Sequence, residues 1–298
     1  MSLPAAFDLS GRVAIVTGAG SPSGIGFATA RLLAELGAAV MITATTSRID
    51  DRVGELRSAG FDAAGFTGDL TDENTASALV SATLRRWERL DVLVNNAGMI
   101  SAANPDFESG TVVSLSVPVW QASLTRNLTT AFLVTRAALP VMTSRGWGRV
   151  VMVASVTGPV MAMRAEAAYA AAKAGLAGLT RAAAIDVGGH QVTVNVVAPG
   201  WIATGSQTAE ERAEGLTTPL GRSASPGEVA SAIAWLASPG ASYVTGQCLV
   251  IDGGNSIAEQ RGTPPSITAA GRQGRGAVGR RPARCGDVGS GVATNGSR

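Results

Sequence analysis

Tyr169 and Lys173 are the two residues of this chain whose types and spacing best suit catalysis. Lys173 is the only lysine among 24 lysines and arginines, and Tyr169 is one of 2 tyrosines. Residues four apart share one face of a helix, about 5–6 Å from each other. At about 4 Å and an effective dielectric of about 20, an ammonium group stabilises a phenolate by about 4 kcal/mol. We therefore predict that Lys173 lowers the pKa of Tyr169 towards neutrality, so that the phenol exchanges protons as a general acid or base. The alternative is a helix whose lysine is merely solvated.

An alternation of strands and helices is predicted to position this pair. Short apolar runs alternate with longer segments of helical periodicity, which is typical of a parallel sheet covered by helices. The predicted strands are 13–17, 39–44, 63–67, 92–94, 150–154, 193–198 and 248–251. The predicted helices are 24–36, 49–59, 72–88, 118–144, 167–187 and 226–237. The expected fold class is α/β: a single Rossmann-type doubly wound domain of about seven parallel strands flanked by helices on both faces.

Residues 1–262 are expected to form this domain, and residues 263–298 a disordered tail rich in glycine and arginine. The tail has no aromatic residue and no apolar periodicity, so it cannot offset the entropy lost on ordering. A basic RNA-binding segment and an unselected extension both fit this composition.

Composition argues against several classes of function for the main domain. The net charge is +2, but the tail has six arginines and one aspartate, so the rest of the chain carries −3. A mildly acidic body argues against nucleic-acid binding. The 2 cysteines lack metal-ligand spacing, and neither a signal peptide nor a membrane-spanning apolar stretch is evident. We expect a cytoplasmic protein with no metal site and no membrane contact.

A glycine-rich turn follows the first predicted strand and precedes the first predicted helix. Glycines permit a tight turn and let the backbone approach a pyrophosphate, which the free N–H groups of the following helix then bind. An alternative is a turn that only packs the helix on the sheet. The predicted phosphate-binding residues are Gly18, Gly20, Ser23, Gly24, Ile25 and Gly26.

The segment after the second predicted strand bears on the choice of cofactor. An acidic residue there would bind the adenine ribose and indicate NAD(H), but the segment is Thr45-Thr-Ser-Arg48. Thr45 leaves room and Arg48 offers a cation for a 2′-phosphate, so NADP(H) is favoured, with NAD(H) as the alternative. Arg48 equally suits a helix start in water. Asp69, at the end of the third strand, either accepts a hydrogen bond from the adenine amino group or caps the next helix.

The ordered set of motifs resembles the short-chain dehydrogenase/reductase family over about residues 9–254. Segments 192–200, 219–222 and 244–254 look most similar to 3-oxoacyl-[acyl-carrier-protein] reductases within that family. The markers are the glycine-rich turn, Asp69, Asn95-Asn-Ala-Gly98, Asn127, Ser155, Tyr169-Ala-Ala-Ala-Lys173 and Pro199-Gly200.

The resemblance implies roles for individual residues. Tyr169 would be the acid/base, Ser155 would hydrogen-bond the substrate oxygen, and Lys173 would also bind the nicotinamide ribose. Asn127 would hold a water that links Lys173 to solvent, or be a buried structural asparagine, and Ser155 would otherwise be a turn serine. Thr204 would bind the nicotinamide carboxamide or cap a short helix over 204–214. The further cofactor contacts implied are Leu70, Asn96, Ala97, Gly98, Tyr169, Lys173, Pro199, Gly200, Ile202 and Thr204.

Some features depart from the family pattern. The glycine-rich turn is two residues longer between Gly18 and Gly24, and the spacing of 14 from Ser155 to Tyr169 is one longer than in the most similar relatives. Segment 99–117 is also longer and is expected to cover the substrate side. Docking of a carrier protein would need basic residues at the ends of the two long helices. Arg145 and Arg149 suit the first helix, whereas residues 186–190 after the second are not basic.

The implied activity is NAD(P)(H)-dependent interconversion of a ketone and a secondary alcohol. A 3-oxoacyl thioester is one expected substrate, and a steroid, a polyol or a secondary metabolite is an alternative. A non-catalytic nucleotide-sensing protein is less favoured, because it would not need Ser155, Tyr169 and Lys173 together. The small side chains of helix 167–187 and the resemblance imply a homotetramer or a homodimer.

Overall fold

Seven parallel strands form one sheet in the order β3-β2-β1-β4-β5-β6-β7 within the residues that the structure describes. The structure is a computed structural model and describes residues 3–98 and 109–259, all of which lie in the compact unit Met1–Pro264. The strands are β1 (Val13–Val16), β2 (Ala39–Ala44), β3 (Ala63–Thr67), β4 (Val92–Asn95), β5 (Gly148–Val153), β6 (Val192–Pro199) and β7 (Cys248–Ile251). The predicted fold class is confirmed, whereas the predicted disordered tail lies outside the described residues.

Helices cover both faces of the sheet. They are α1 (Ile25–Glu35), α2 (Arg48–Ser58), α3 (Glu73–Trp87), α4 (Val117–Leu124), α5 (Thr130–Arg145), α6 (Ala167–Val187), α7 (Ala209–Leu216) and α8 (Pro226–Ala237). One helix was expected over 118–144, and a π-helical turn over Thr125–Thr129 instead separates α4 from α5. The π turn moves the backbone hydrogen bonds by one residue and so reorients the side chains around Asn127.

Two hydrophobic clusters lie on the two sides of the sheet. One includes apolar residues of α1, α2 and α8, and the other includes residues of α3, α5 and α6. All residues of β1, β4, β5 and β6 are buried, as expected for parallel strands covered on both faces. This burial explains why the sequences of these strands are nearly continuous apolar runs rich in valine.

Parallel strands bring their carboxyl ends to one edge of the sheet, and ligands of such folds bind outside that edge. The glycine-rich turn follows β1, Asn96 to Gly98 follow β4, Ser155 follows β5, and Gly200 follows β6. Motifs that are far apart in the sequence therefore meet at the carboxyl edge of the sheet. Among the described residues, no helix is long and apolar enough to span a bilayer.

Candidate active site

Tyr169 and Lys173 face each other in the first two turns of α6. The Nζ atom of Lys173 lies 5.5 Å from the centroid of the Tyr169 ring. Lys173 is only 3% exposed, and its Nζ donates a hydrogen bond to the carbonyl of Val153 at 3.2 Å. Since Val153 ends β5, this bond ties the charged end of Lys173 to the carboxyl edge of the sheet.

Burial governs the protonation of both groups. Burial is the largest of the causes that raise the pKa of Tyr169 to about 12. The charges of Glu166 and Glu211 also raise this pKa, whereas a hydrogen bond with Ser155 lowers it. Burial also lowers the pKa of Lys173 to about 8. The predicted lowering of the Tyr169 pKa towards neutrality is therefore wrong here, because burial of the phenol and the charges of the two carboxylates raise that pKa more than the hydrogen bond with Ser155 lowers it. At neutral pH Tyr169 carries a proton that it can give to a carbonyl oxygen.

Ser155 is held by the loop that follows β5. The N–H of Thr157 donates to the Ser155 Oγ atom at 3.1 Å, and the N–H of Val156 donates to the Pro199 carbonyl at 2.9 Å. Gly158 has a φ of +110°, and a Cβ atom there would collide with the Ala170 carbonyl of α6. The lack of a side chain at Gly158 thus lets the Ser155 loop lie directly on the helix that carries Tyr169.

Asn127 lies in the π turn and is 2% exposed. Its Nδ2 atom donates to the Ser123 carbonyl at 3.2 Å. A Cβ atom at Gly98 would lie 2.9 Å from the Asn127 Oδ1 atom and 3.4 Å from Lys173 Nζ, so these three residues adjoin one another. Asn127, Ser155, Tyr169 and Lys173 therefore converge, and their catalytic roles stay predictions.

The glycine-rich turn is locked to the segment after β4. Asn96 and Ala97 each donate a backbone N–H to the Thr17 Oγ1 atom, at 3.0 and 2.9 Å. The Asn96 side chain donates to the carbonyls of Thr17 and Gly18, both at 3.0 Å. Gly18 has a φ of +68°, and a Cβ atom there would lie 2.8 Å from the Ala97 Cα atom. Glycine is required at position 18 on both counts.

The N-terminus of α1 suits an anion. It begins after Gly24 with no side-chain cap and no acidic residue in its first turn, whereas α3, α7 and α8 are capped by Asp72, Thr208 and Ser225. Its first N–H groups and the positive end of its dipole are therefore available to a phosphate. This fits the predicted contacts of Gly24, Ile25 and Gly26 with a dinucleotide.

Ser23 connects the glycine-rich turn to the loop after β6. Its Oγ atom accepts a hydrogen bond from the N–H of Gly205 at 3.1 Å. The predicted carboxamide ligand Thr204 precedes Gly205 and shares a hydrogen bond of 3.0 Å with Ser206. Through the hydrogen bond of Ser23 with Gly205 the glycine-rich turn contacts the loop after β6. The dinucleotide is expected to lie beside that loop.

Arg48 lies beside the glycine-rich turn. A Cβ atom at Gly20 would be 2.5 Å from the Arg48 Nε atom and 2.9 Å from the Ala44 Cβ atom. Arg48 and Thr45 are nonetheless exposed, and no carboxylate occurs from Ala44 to Arg48. Arg48 is thus a cation next to the turn, and the first acidic residues after β2 are Asp50 and Asp51 in the first turn of α2.

Asp69 and Thr204 do not cap helices. The Asp69 Oδ1 atom accepts hydrogen bonds from the N–H and Oγ1 of Thr71 at 3.0 and 2.8 Å, while Asp72 caps α3 by accepting from the Thr75 N–H at 2.7 Å. Thr208 caps α7. The capping alternatives for Asp69 and Thr204 are wrong, because the cap in each case lies three or four residues further on. Leu70, next to Asp69, is buried.

Pro199 and Gly200 close the carboxyl end of β6. The Gly200 N–H donates to the Ile251 carbonyl at 2.9 Å, and a Cβ atom there would lie 2.7 Å from the Asp252 Cβ atom. Ile202 is half-buried and forms a parallel bridge with Ala224. These contacts fix the segment that the resemblance assigns to the nicotinamide.

Sequence reasoning misses two carboxylates near Tyr169. Glu166 precedes Tyr169 by three residues and is the N-cap of α6, so its nearness in sequence offered a usable signal. Glu211 belongs to α7 and is remote in sequence, so no local pattern connects it with Tyr169. Both raise the pKa of Tyr169.

Comparison with known proteins agrees with this geometry. The family model described as enoyl-(acyl carrier protein) reductase matches residues 18–256. The chain is 43% identical over 247 residues to cis-4-hydroxycyclohexanecarboxylate dehydrogenase of Sinomonas cyclohexanicum, covering 82% of this chain and 96% of that one. It is 38% identical to 3-oxoacyl-[acyl-carrier-protein] reductase of Vibrio cholerae over 83% of this chain and 98% of that one. The crystal structure of levodione reductase superposes with a TM-score of 0.77 and 31% identity, over 84% of this chain and 99% of that one.

The family model spans every residue predicted for the site, from Gly18 to Thr204. A nicotinamide cofactor supplies the hydride in this family. The chain belongs to the short-chain dehydrogenase/reductase family and is an oxidoreductase that interconverts ketones and secondary alcohols.

Proposed function

We propose that this protein is an NADP(H)-dependent ketone reductase whose proton donor is Tyr169. The observation that carries the proposal is the protonated phenol of Tyr169, which is half-buried, hydrogen-bonded to Ser155 and adjacent to the ammonium group of Lys173. A phenol with a raised pKa is protonated at neutral pH, so Tyr169 holds the proton that the oxygen of a reduced carbonyl takes up.

Each residue has a separate task in this mechanism. Ser155 hydrogen-bonds the carbonyl oxygen and orients it, and Tyr169 gives that oxygen its proton. The bound nicotinamide supplies the hydride to the carbonyl carbon. Lys173 stabilises the resulting phenolate, and with a pKa of about 8 it can return a proton near neutral pH. Asn127, which adjoins Lys173 at Gly98, would hold the water through which that proton returns from solvent.

NADP(H) is favoured over NAD(H) because of the surroundings of Arg48. Its side chain lies on Gly20, and the residues after β2 are threonine and serine without a carboxylate. A guanidinium binds a phosphate through charge-assisted hydrogen bonds. A ribose without the 2′-phosphate has no negative charge for the guanidinium to bind. Replacement of Arg48, described in the Discussion, tests this preference.

A 3-oxoacyl thioester is the first candidate substrate, supported by the likeness to the Vibrio cholerae reductase. The surface offers little for a carrier protein. Arg149, one of two arginines expected to dock it, is 3% exposed and donates to the carbonyls of Gly148, Ser238 and Gln191. We therefore propose that the thioester need not be attached to a carrier protein.

A ring alcohol is the second candidate. The observation in its favour is the 43% identity with a dehydrogenase named for a hydroxycyclohexanecarboxylate. A cyclohexanone and an open-chain ketone present the same carbonyl to Ser155 and Tyr169, so the shape of the pocket has to discriminate between them.

A panel of ketones tests the function. The full chain is assayed by NADPH and NADH absorbance with acetoacetyl thioesters, cyclohexanones, steroids and sugars. Tyr169→Phe should lower kcat/KM by about 10³-fold, while binding of NADPH, followed by its fluorescence, is kept. Reduction by the phenylalanine variant at the parent rate would overturn the assignment of Tyr169. Failure of the parent with every ketone would overturn the function.

We also propose a homotetramer or homodimer in the cytoplasm. Ile185 of α6 is 84% exposed, and β7 has a strand neighbour on one side only among the described residues. A second copy of the chain can cover both the Ile185 side chain and the open edge of β7. Light scattering that gives the mass of a monomer would contradict the assembly, and cell fractionation tests the location.

A further inference from the structure

The additional length of the glycine-rich turn between Gly18 and Gly24 forms a tight turn of its own. The Gly24 N–H donates to the Ser21 carbonyl at 3.3 Å, so Pro22 and Ser23 occupy the two central positions of that tight turn. Proline suits the first central position because its fixed φ already matches a turn. Pro22 and Ser23 are exposed, so packing in the core does not account for the insertion.

The Ser23 hydroxyl contacts the β6–α7 loop (residues 200–208), which is remote in sequence. Its Oγ atom accepts a hydrogen bond from the Gly205 N–H at 3.1 Å. A Cβ atom at Gly205 would lie 2.5 Å from that Oγ atom, so the lack of a side chain at Gly205 allows this close approach. Within residues 3–98 and 109–259, no other hydrogen bond joins residues 20–24 to the β6–α7 loop.

The β6–α7 loop is anchored elsewhere at two points. The Ala203 N–H donates to the Ala224 carbonyl at 2.8 Å, and the Gln207 Nε2 atom donates to the Ser223 Oγ atom at 2.8 Å. Gly205 lies midway between these two anchored positions and is exposed. The middle of the loop therefore depends on Ser23 for its position relative to the glycine-rich turn.

The contact lies beside the place that suits a phosphate. Ser23 directly precedes Gly24, after which α1 begins with no side-chain cap. On the other side of the contact, Gly205 directly follows Thr204, the predicted ligand of the nicotinamide carboxamide. A dinucleotide that extends from the N-terminus of α1 to Thr204 would pass the point where Ser23 and Gly205 meet.

We propose that Ser23 is a positioning residue whose hydroxyl holds the β6–α7 loop beside the N-terminus of α1 and so controls how fast the dinucleotide enters and leaves. The inference rests on the proposed function only in taking NADPH as the dinucleotide. A bond that opens for passage and then forms again adds to the barrier in both directions and leaves the affinity unchanged. A hydroxyl that instead bound a phosphate, the role predicted from the sequence, would stabilise the complex and slow only dissociation.

The test measures association and dissociation of NADPH by stopped-flow fluorescence. Loss of one hydrogen bond in Ser23→Ala should raise both rate constants by about fivefold and leave Kd within about twofold of the parent value. Ser23→Thr keeps the hydroxyl and should keep both rate constants at the parent values. Ser21→Ala is the matched control in the same tight turn, since the Ser21 Oγ atom forms no hydrogen bond within the described residues, and it should change neither rate constant.

Hydrogen exchange of the Gly205 amide gives a second readout that needs no cofactor. This N–H is bonded to Ser23, so in the free protein its exchange should be about fivefold faster in Ser23→Ala than in the parent. Ser21→Ala should leave that exchange unchanged. Equal exchange in Ser23→Ala and the parent overturns the inference.

The kinetic outcomes separate the inference from the proposed function. A rise in Kd through dissociation alone means that Ser23 binds the phosphate, and unchanged rate constants mean that the bond does not limit passage. Either result overturns the inference. If the parent binds NADH but not NADPH, the same rate constants are measured with NADH, and only the proposed cofactor preference fails. If the rate constants change as expected but no ketone is reduced, the inference stands and the proposed function fails.

Discussion

The half of the site that faces the dinucleotide and the half that faces the substrate are held in different ways. On the dinucleotide side, side-chain and backbone hydrogen bonds of 2.9–3.0 Å join Thr17, Asn96 and Ala97. On the substrate side, position depends on left-handed backbone at Gly158 and Ala165 and on close packing of the Ser155 loop on α6. Hydrogen bonding to short polar residues fixes one half, and steric fit fixes the other.

The difference follows from what each half must bind. A dinucleotide always presents the same phosphates, so glycines and backbone N–H groups suffice, and they form a recognisable motif. Substrates vary, and the residues around Tyr169 on the substrate side, such as Glu166 and Glu211, form no comparable motif in the sequence. A change in either half should therefore leave binding in the other half largely intact.

Gly158→Ala is expected to disrupt the packing of the Ser155 loop on α6, on the substrate side of the site. The new Cβ atom would collide with the Ala170 carbonyl, and the φ of +110° is strained for alanine. We expect a loss of about 2–4 kcal/mol in the free energy of unfolding and near-complete loss of turnover, with NADPH binding kept. Urea unfolding, ketone assays and cofactor fluorescence measure the three quantities.

Gly178→Ala is the matched control for this change. Gly178 is exposed on α6, and a Cβ atom there has no neighbour within 4 Å. Alanine in a helix should stabilise the protein by about 0.5–1 kcal/mol and leave activity unchanged. Equal stability of the two variants would show that the packing of the Ser155 loop on α6 is not what fixes the substrate side.

The two halves also differ in how far the sequence alone predicts them. The bounds of β2 and β3 are predicted to the residue. In β2, which is buried almost throughout, a parallel strand covered on both faces leaves an unbroken apolar pattern. The π turn around Asn127 is missed, since a shift of one backbone hydrogen bond changes no hydrophobic periodicity. The hydrophobic pattern therefore predicts the strands and helices but does not predict an irregularity such as the π turn.

The electrostatics of the site are the least predictable part. The spacing of Tyr169 and Lys173 correctly places them on one helix face, but it contains no information on desolvation, which depends on the elements packed around α6. The predicted direction of the Tyr169 pKa shift is wrong for that reason. The positions of Glu211 and the capping residue Thr208 depend on where α7 begins, and the charge of Glu211 reaches Tyr169 only through the tertiary structure.

Lys173 lies at the junction of the two halves, and its burial should appear in the pH dependence of stability. The folded protein holds the Lys173 proton with a pKa of about 8, compared with an ordinary value of 10.5. Between these two values the unfolded chain binds more protons, so the contribution of Lys173 to stability rises with pH and is lowest below pH 8. Lys173→Met removes this penalty and should stabilise the protein by about 3 kcal/mol at pH 7. The gain should shrink at pH 9.5.

Urea unfolding of parent and variant at pH 7 and pH 9.5 measures the difference. Lys173→Arg is the control, because a guanidinium stays charged at both values and its difference from Lys173→Met should stay constant over this range. A gain from Lys173→Met that is the same at both pH values would contradict the burial of a protonated amine at this junction.

Arg48→Ala is expected to have the smallest effect and to affect only the dinucleotide side. The guanidinium lies on Gly20 next to the end of β2, and loss of a charge-assisted bond to the 2′-phosphate should raise KM for NADPH by about tenfold. KM for NADH and KM for the ketone should change little, because neither ligand offers that phosphate. Arg31→Ala is the control, as Arg31 is exposed on α1 and paired with Glu35. Equal increases in KM for NADPH and NADH would mean that Arg48 only supports the glycine-rich turn. A rise in KM for the ketone would mean instead that the two halves of the site are coupled through that turn.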